Sequence, residues 1–189
     1  QTAMTAVAKS PVAMAAVWKS NTAVQKVQAN ATAWATFTGA SSAVMGKAAA
    51  ILAGLNPDSY ADMTAVAASQ TAMAAVADSS TAMQAIANSQ TALNAIAAST
   101  TALDALYAKK KRMSGASKTL SGKFIILQIS SDNAFNTSRY GYATLSDGTK
   151  PDWSSYTAKY AYFKQYKKVA TYMKNDTDSN DWIDYFQIA

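Results

Sequence analysis

The sequence predicts an α+β protein: an N-terminal solenoid of short Ala-rich helices in ten-residue repeats, then a small β-rich, antiparallel sandwich-like C-terminal domain. Three observations predict it. A ten-residue unit recurs, most plainly from Thr71 to Ser80, Thr81 to Gln90 and Thr91 to Thr100. Self-similarity at a fixed period marks units that are stable only against their neighbours. A serine stands near the end of many units, at Ser10, Ser20, Ser69, Ser79, Ser89 and Ser99. Fourteen of the nineteen aromatic residues are confined to 123–189, where the repeat has ended.

Residues 1–55 carry a degenerate array, in which Met4 leads to Val7, Met14 to Val17, Val24 to Val27 and Trp34 to Phe37. A further copy beginning at Ser42 decays, and Asn56-Pro57-Asp58-Ser59-Tyr60 interrupts the pattern. The regular array occupies 56–108, one residue out of phase with the first. A period of ten does not suit one continuous helix. Ten residues fall about 80° short of three full turns, so an apolar stripe would drift around the surface. Supercoils hold a seam at seven- or eleven-residue periods instead.

A break in every copy suits the period better. Ser is a preferred N-cap, because its hydroxyl accepts a bond from an unpaired amide of the first turn. Pro11 after Ser10 and Pro57 after Asn56 fit the first helical position. Each copy therefore reads as a cap, a helix of about seven or eight residues, and a turn. Alone, such a helix is too short to hold in water. Met63 and Val66, Met73 and Val76, Met83 and Ile86, Leu93 and Ile96, and Leu103 and Leu106 fall on one face and form the predicted repeat spine. Burying each contributes about 1.5–3 kcal/mol.

Residues 109–122, with Lys109-Lys110-Lys111-Arg112, Gly115 and Gly122, read as a basic Ser/Gly linker. The basic run could grip phosphates or acidic glycans, but reads more simply as a solvated junction. Residues 123–189 read as the β-rich domain. Lys123 to Ile129 is β-branched-rich, Arg139 to Leu145 alternates, and Asp147-Gly148 is a turn. Tyr160 to Phe163 and Lys168 to Met173 favour strands, with helix an alternative between 157 and 173, and Trp182 to Ile188 ends the chain as another strand.

Composition removes most catalytic constellations. Cys, His and Glu are absent, so thiolate chemistry and the commonest general base and metal ligand are excluded. No enzymatic role and no cofactor are expected. The formal charge is +6. The longest aliphatic run, Ala48 to Leu55, is far below the roughly 20 residues of a membrane span, so no membrane insertion is expected. The chain opens on Gln1, which reads as a processed or truncated start.

Three groups of residues are candidates for chemistry or binding. Asp176, Asp178 and Asn180 place oxygen ligands at alternating positions, as a calcium loop does, but the glycine and glutamate of the EF-hand are missing and a polar turn explains them equally well. Trp153, Tyr156, Trp182 and Tyr185 are candidate glycan-stacking residues, against the plainer reading that they build the core. Trp18, Trp34 and Phe37 replace smaller residues in the repeat. They either fill gaps in the spine or dock the segment onto another protein, and docking is expected because large rings match a thin Ala-rich stack poorly.

The pattern Thr-Ala-Met-x-Ala-Val-Ala-x-Ser, carried by Thr71–Ser79 and varied in Thr81–Ser89 and Thr91–Ser99, resembles the decapeptide phage-tail-repeat-like segments of bacteriophage tail-fibre and other virion fibre proteins. The resemblance covers roughly residues 2–55 and 61–108, and departs from the pattern at Trp18, Lys26, Trp34 and Lys47. It implies a structural protein on the virion surface, a fibre, spike or decoration, with other virion proteins as partners and a homo-oligomeric, trimeric state. It carries no catalytic residues. The competing reading is a receptor- or glycan-binding adhesin tip, of phage or bacterial origin, that contacts a host-surface glycan. No nucleic-acid partner is expected under either.

Overall fold

A computed structural model describes residues 2–131, 133–136, 140–153, 158–176 and 180–188. The chain is α+β, with helices followed by a five-stranded antiparallel sheet. It divides into two compact units, Gln1–Ala105 and Leu106–Ala189.

Among the described residues, ten α-helices fill the first stretch: α1 (Thr2–Ala8), α2 (Pro11–Trp18), α3 (Asn21–Gln28), α4 (Ala31–Thr38), α5 (Ser42–Leu52), α6 (Met63–Ala68), α7 (Gln70–Asp78), α8 (Ser80–Ala87), α9 (Gln90–Ala98) and α10 (Thr100–Tyr107). A polar side chain caps nearly every one by accepting the amide three residues on. Ser10, Ser20, Asn30, Ser41, Asp62, Ser69, Ser79, Ser89 and Ser99 each do this. Counted from their caps, α2, α3, α4, α7, α8, α9 and α10 carry their large apolar residues four and seven positions on, whereas α5 has Met45 and Ala48 there and α6 carries Met63 and Val66 one and four positions on. The one-residue phase shift in the sequence arises across α5 and α6, where the caps Ser41 and Asp62 depart from the ten-residue spacing before Ser69 resumes it.

The helices pack on sequence neighbours and also on the helix three places away: α1 on α4, α2 on α5, α5 on α8 and α6 on α9. Two caps also bond to an earlier helix, Ser79 from α8 back to α5 and Ser99 from α10 back to α6. Ser79 Oγ donates to the Leu52 carbonyl (3.1 Å) and Ser99 Oγ to the Ala67 carbonyl (2.6 Å). Each hydroxyl thus accepts from its own helix and satisfies the open end of an earlier one.

The copy expected to decay after Ser42 is instead the longest helix of the series, α5. It ends in a Schellman motif. Gly54 takes φ +75°, Leu55 N–H bonds Ala50 O (2.8 Å) and Gly54 N–H bonds Ile51 O (3.1 Å). The interruption then forms a 3-10 turn, Pro57–Ser59, before α6 begins at its Asp62 cap. Within α5, Gly46 lies against the Asp62–Met63 backbone, where a Cβ would stand 2.2 Å from the Asp62 carbonyl carbon. Ser42 Oγ accepts the Met63 amide alongside (3.3 Å).

The second unit contains β1 (Lys111–Ser114), β2 (Thr119–Ser130), β3 (Tyr142–Leu145), α11 (Ala161–Tyr166), β4 (Ala170–Lys174) and β5 (Trp182–Gln187). The strand order is β1-β5-β2-β4-β3, and every neighbouring pair is antiparallel. Two expectations are corrected here. Residues 109–122 are not a linker, because Lys111–Ser114 is an edge strand and β2 already starts at Thr119. Alternation explains it: Met113 enters the core while its polar neighbours face outward. Residues 161–166 are helix rather than strand.

Among the described residues the strands make one sheet, not two facing ones, and that sheet must curl. Ser114 lies level with Ser130 through Trp182. A straight β2 would put Thr119 about 36 Å away from that level, yet the four residues 115–118 span at most about 18 Å. Two irregularities in β2 bend it, one between Ser121 and Phe124, where Gly122 takes φ +148°, and one between Ile126 and Gln128. The core sits inside the curl and draws on every strand, including Met113, Phe124, Ile126, Leu145, Met173 and Ile183, together with Tyr162 of α11.

Candidate functional site

The ten expected spine residues are all buried, none more than 3% exposed. In the first array Met14 and Phe37 are buried likewise, whereas Met4, Val7 and Val24 are only partly covered. Trp18, Trp34 and Phe37 meet one another, with ring centroids 5.4–6.0 Å apart. Docking by Trp18 and Phe37 is therefore corrected: both are buried within the helical unit, and only Trp34 keeps part of its surface. Trp18 stands eight positions after its cap, where the regular copies have Ala77, Ala87 and Ala97. Its ring fills the space a small side chain would leave. Its Nε1 is buried without a partner.

The aromatic candidates of the second unit are distributed differently from expectation. Tyr185 is buried edge-on against Phe124, and burial pushes its phenol above the ordinary range. Trp153 packs against Tyr162 and Tyr166 at the margin of the core. Trp182 is half-buried, but the Arg112 guanidinium lies 3.7 Å from its ring centroid and covers a face. Tyr156 lies outside the described residues.

Of the calcium candidates, Asp178 also lies outside the described residues, and Asn180 is exposed. Asp176 is buried, and its carboxylate shares the Ser131 hydroxyl with buried Asp181 (3.0 and 3.1 Å). Asn175 locks the same corner by donating to the carbonyls of Gly115 (3.0 Å) and Asp181 (2.7 Å). Among the described residues no three carboxylates converge as metal ligands.

The outer face of the sheet carries two polar groupings that sequence reasoning missed. In the first, Asp184 is completely buried and accepts Arg112 Nε (2.7 Å) and Nη2 (2.9 Å) as a fork. Tyr107 Oη donates to the same carboxylate (3.2 Å) and lies 3.3 Å from Gln128 Oε1. The hydrogen bond that Arg112 donates to Asp184 raises the Arg112 pKa further, and burial, with Asp184 beside it, raises that of Tyr107. Lys110 and Lys159 each place an ammonium about 4 Å from the Tyr107 ring centroid (4.2 and 4.1 Å). Asp184 thereby anchors β1 to the rest of the sheet. The basic run is thus built into the fold, with Lys111 Nζ on Gln187 Oε1 as well (2.6 Å).

In the second grouping, Tyr142 of β3 and Tyr172 of β4 lie side by side, centroids 5.4 Å apart and planes tilted by 31°. Ala143 and Met173, their strand neighbours, point into the core, so both tyrosines face outward and remain half-exposed. Lys150 Nζ stands 4.6 Å from the Tyr142 centroid, and Lys174 pairs with both Tyr142 and Thr119 across the strands. Burial and a hydrogen bond with Tyr142 raise the Tyr172 pKa.

An open depression of about 270 Å³ lies between Arg112–Ser114 and Lys118–Leu120, and two others, about 250 and 340 Å³, line α1 and α4. No helix among the described residues is long and apolar enough to cross a membrane. No protein-family model matches the chain, and comparison with curated proteins finds no match.

Proposed function

We propose that the chain is a non-enzymatic structural protein of a virion fibre, spike or decoration, whose helical stretch is a solenoid of ten-residue repeats with three repeats per turn. The solenoid acts as a shaft and carries the β-rich unit. The observation that supports this reading is the packing of helices three places apart, α1 on α4, α2 on α5, α5 on α8 and α6 on α9. The cap bonds Ser79–Leu52 and Ser99–Ala67 span 27 and 32 residues, close to three repeats. A stack whose units lean only on near neighbours can be lengthened or shortened by whole units. That property suits a spacer and leaves surface, not an enclosed cavity, as the working part.

An insertion tests the shaft. Thirty residues, three copies of Thr81–Gln90, are inserted after Gln90. Cysteines placed at Gln25 and Asn94 carry spin labels, in a chain with no native cysteine. One added turn of stacked helices lengthens the distance by roughly 8–10 Å, the spacing of packed helices. A continuous helix would add about 45 Å, and that result refutes the solenoid. Mass spectrometry and immunogold imaging of purified native particles test the virion role, and recovery of the chain only outside particles refutes it.

A further inference from the structure

We propose that residues 106–189 bind an acidic polysaccharide on the outer face of the sheet, with Tyr142 and Tyr172 as the stacking platform and Lys150 and Lys174 as its charged flanks. The proposal is independent of the solenoid reading.

Charge partition is the first argument. The whole +6 excess belongs to the second unit, which holds thirteen Lys and Arg against seven Asp, while the first unit holds four of each. Three of those seven carboxylates, Asp176, Asp181 and Asp184, are buried. Asp147 is held by Lys168, whose hydrogen bond keeps its carboxyl far below the usual range. The unit therefore presents an outward surface dominated by cations, which attracts polyanions and does so less as salt rises.

The platform is the second argument. Two half-exposed phenol rings lie against each other, centroids 5.4 Å apart and planes tilted by 31°, with the Lys150 ammonium 4.6 Å from the Tyr142 centroid, Lys174 opposite Tyr142 in the ladder, and the strand neighbours of both rings sealed in the core. Thr119, Ser121 and Thr144 stand opposite Lys174 and Tyr172 in the ladder, so hydroxyls occupy the same rows as the rings. Apolar ring faces with polar rims suit the mixed surface of a sugar, and the lysines suit its carboxylates.

The choice of glycan over nucleic acid rests on the cations. Arg112, the described arginine, has its fork consumed by Asp184. The remaining described cations of the unit are lysines, which act as point charges without the planar fork that reads phosphates and base edges.

The test is affinity electrophoresis of the full chain in gels containing polygalacturonate, with dextran and an oligothymidylate as comparators. Retardation by polygalacturonate is expected, falling about tenfold between roughly 50 and 200 mM salt, with none by dextran. Y142T/Y172T keeps strand-forming residues, and is expected to weaken retardation about tenfold at an unchanged circular dichroism spectrum. K150Q/K174Q, confined to the surface, weakens it and flattens the salt dependence, while K9Q/K26Q leaves it unchanged. Absence of retardation at low salt overturns the proposal. So does equal or tighter binding of the oligothymidylate, or full binding by folded K150Q/K174Q.

Discussion

Replacing Gly46 with alanine tests how the interruption of the array is bridged. In an ordinary helix interior, Gly→Ala stabilises by about 1 kcal/mol. Here the added Cβ would meet the Asp62 carbonyl carbon at 2.2 Å, the Met63 amide nitrogen at 2.4 Å and the Asp62 carbonyl oxygen at 2.5 Å. Those atoms are backbone, so no rotamer relieves the overlap. The start of α6 must move by about 1 Å or more. That shift breaks the Ser42–Met63 bond, worth about 1 kcal/mol. It also disturbs the seat of Met63, and overpacking of this kind costs about 1–3 kcal/mol. The net expectation is a loss of about 2–3 kcal/mol, or roughly 10–20 °C in melting temperature for a unit of this size. Gly54→Ala is the comparison: it forces φ +75° on alanine but meets nothing within 4 Å, so its loss is about 1–2 kcal/mol. Thermal and urea melts followed at 222 nm on the full chain report both. A Gly46→Ala protein as stable as the parent, or more stable, would refute the close approach of α5 to α6.

Ser79→Ala and Ser99→Ala each remove a cap and a bond to an earlier helix, so urea melts should show losses of about 2 kcal/mol, against about 1 kcal/mol for Ser20→Ala, an exposed cap alone. Equal losses at all three would deny the cross-turn bonds any weight. Arg112→Met strands the buried Asp184 carboxylate and should destabilise the β-rich unit by about 3 kcal/mol, part of which Asp184→Asn recovers in a double-mutant cycle. Additive effects in that cycle would argue against the pair. Tyr162 carries a buried hydroxyl with no partner, and burial raises its pKa well above the ordinary phenol value. Its folded-state proton is held more tightly, so this contribution to stability is full below about pH 10 and declines as pH rises beyond it. Tyr162→Phe should therefore be neutral to about 1 kcal/mol stabilising at pH 7 and should resist alkaline unfolding better. A loss of 1 kcal/mol or more in Tyr162→Phe would reveal a bond to that hydroxyl.

Local signals made the helical stretch legible. A hydroxyl or amide cap followed by large apolar residues four and seven positions later is a short-range pattern, and it recurs from Ser10 to Asn30 and again from Ser69 to Ser99. The same local reading failed at Ser42, where the fading repeat read as decay, although the missing side chain of Gly46 is what lets α5 receive the backbone of Asp62 and Met63. It failed again at Trp18 and Phe37, since nothing nearby in sequence announces that the two rings fill one space.

In the β-rich unit the strand tendencies of 123–129 and 182–188 were readable from their side chains, and the edge strand at 111–114 was hidden by its charge. Partners decided that strand: Arg112 is bound to a carboxylate 72 residues away, and Lys111 to an amide 76 residues away. Tyr142 and Tyr172 likewise become neighbours only through the β3–β4 pairing. Sequence alone determined where most of the short helices start and which repeat-spine side chains must leave water, because capping and burial act on residues close along the chain. Tertiary structure decided which helix leans on which, how far the sheet bends and which charges stay outside, because those depend on contacts between residues the chain order keeps far apart.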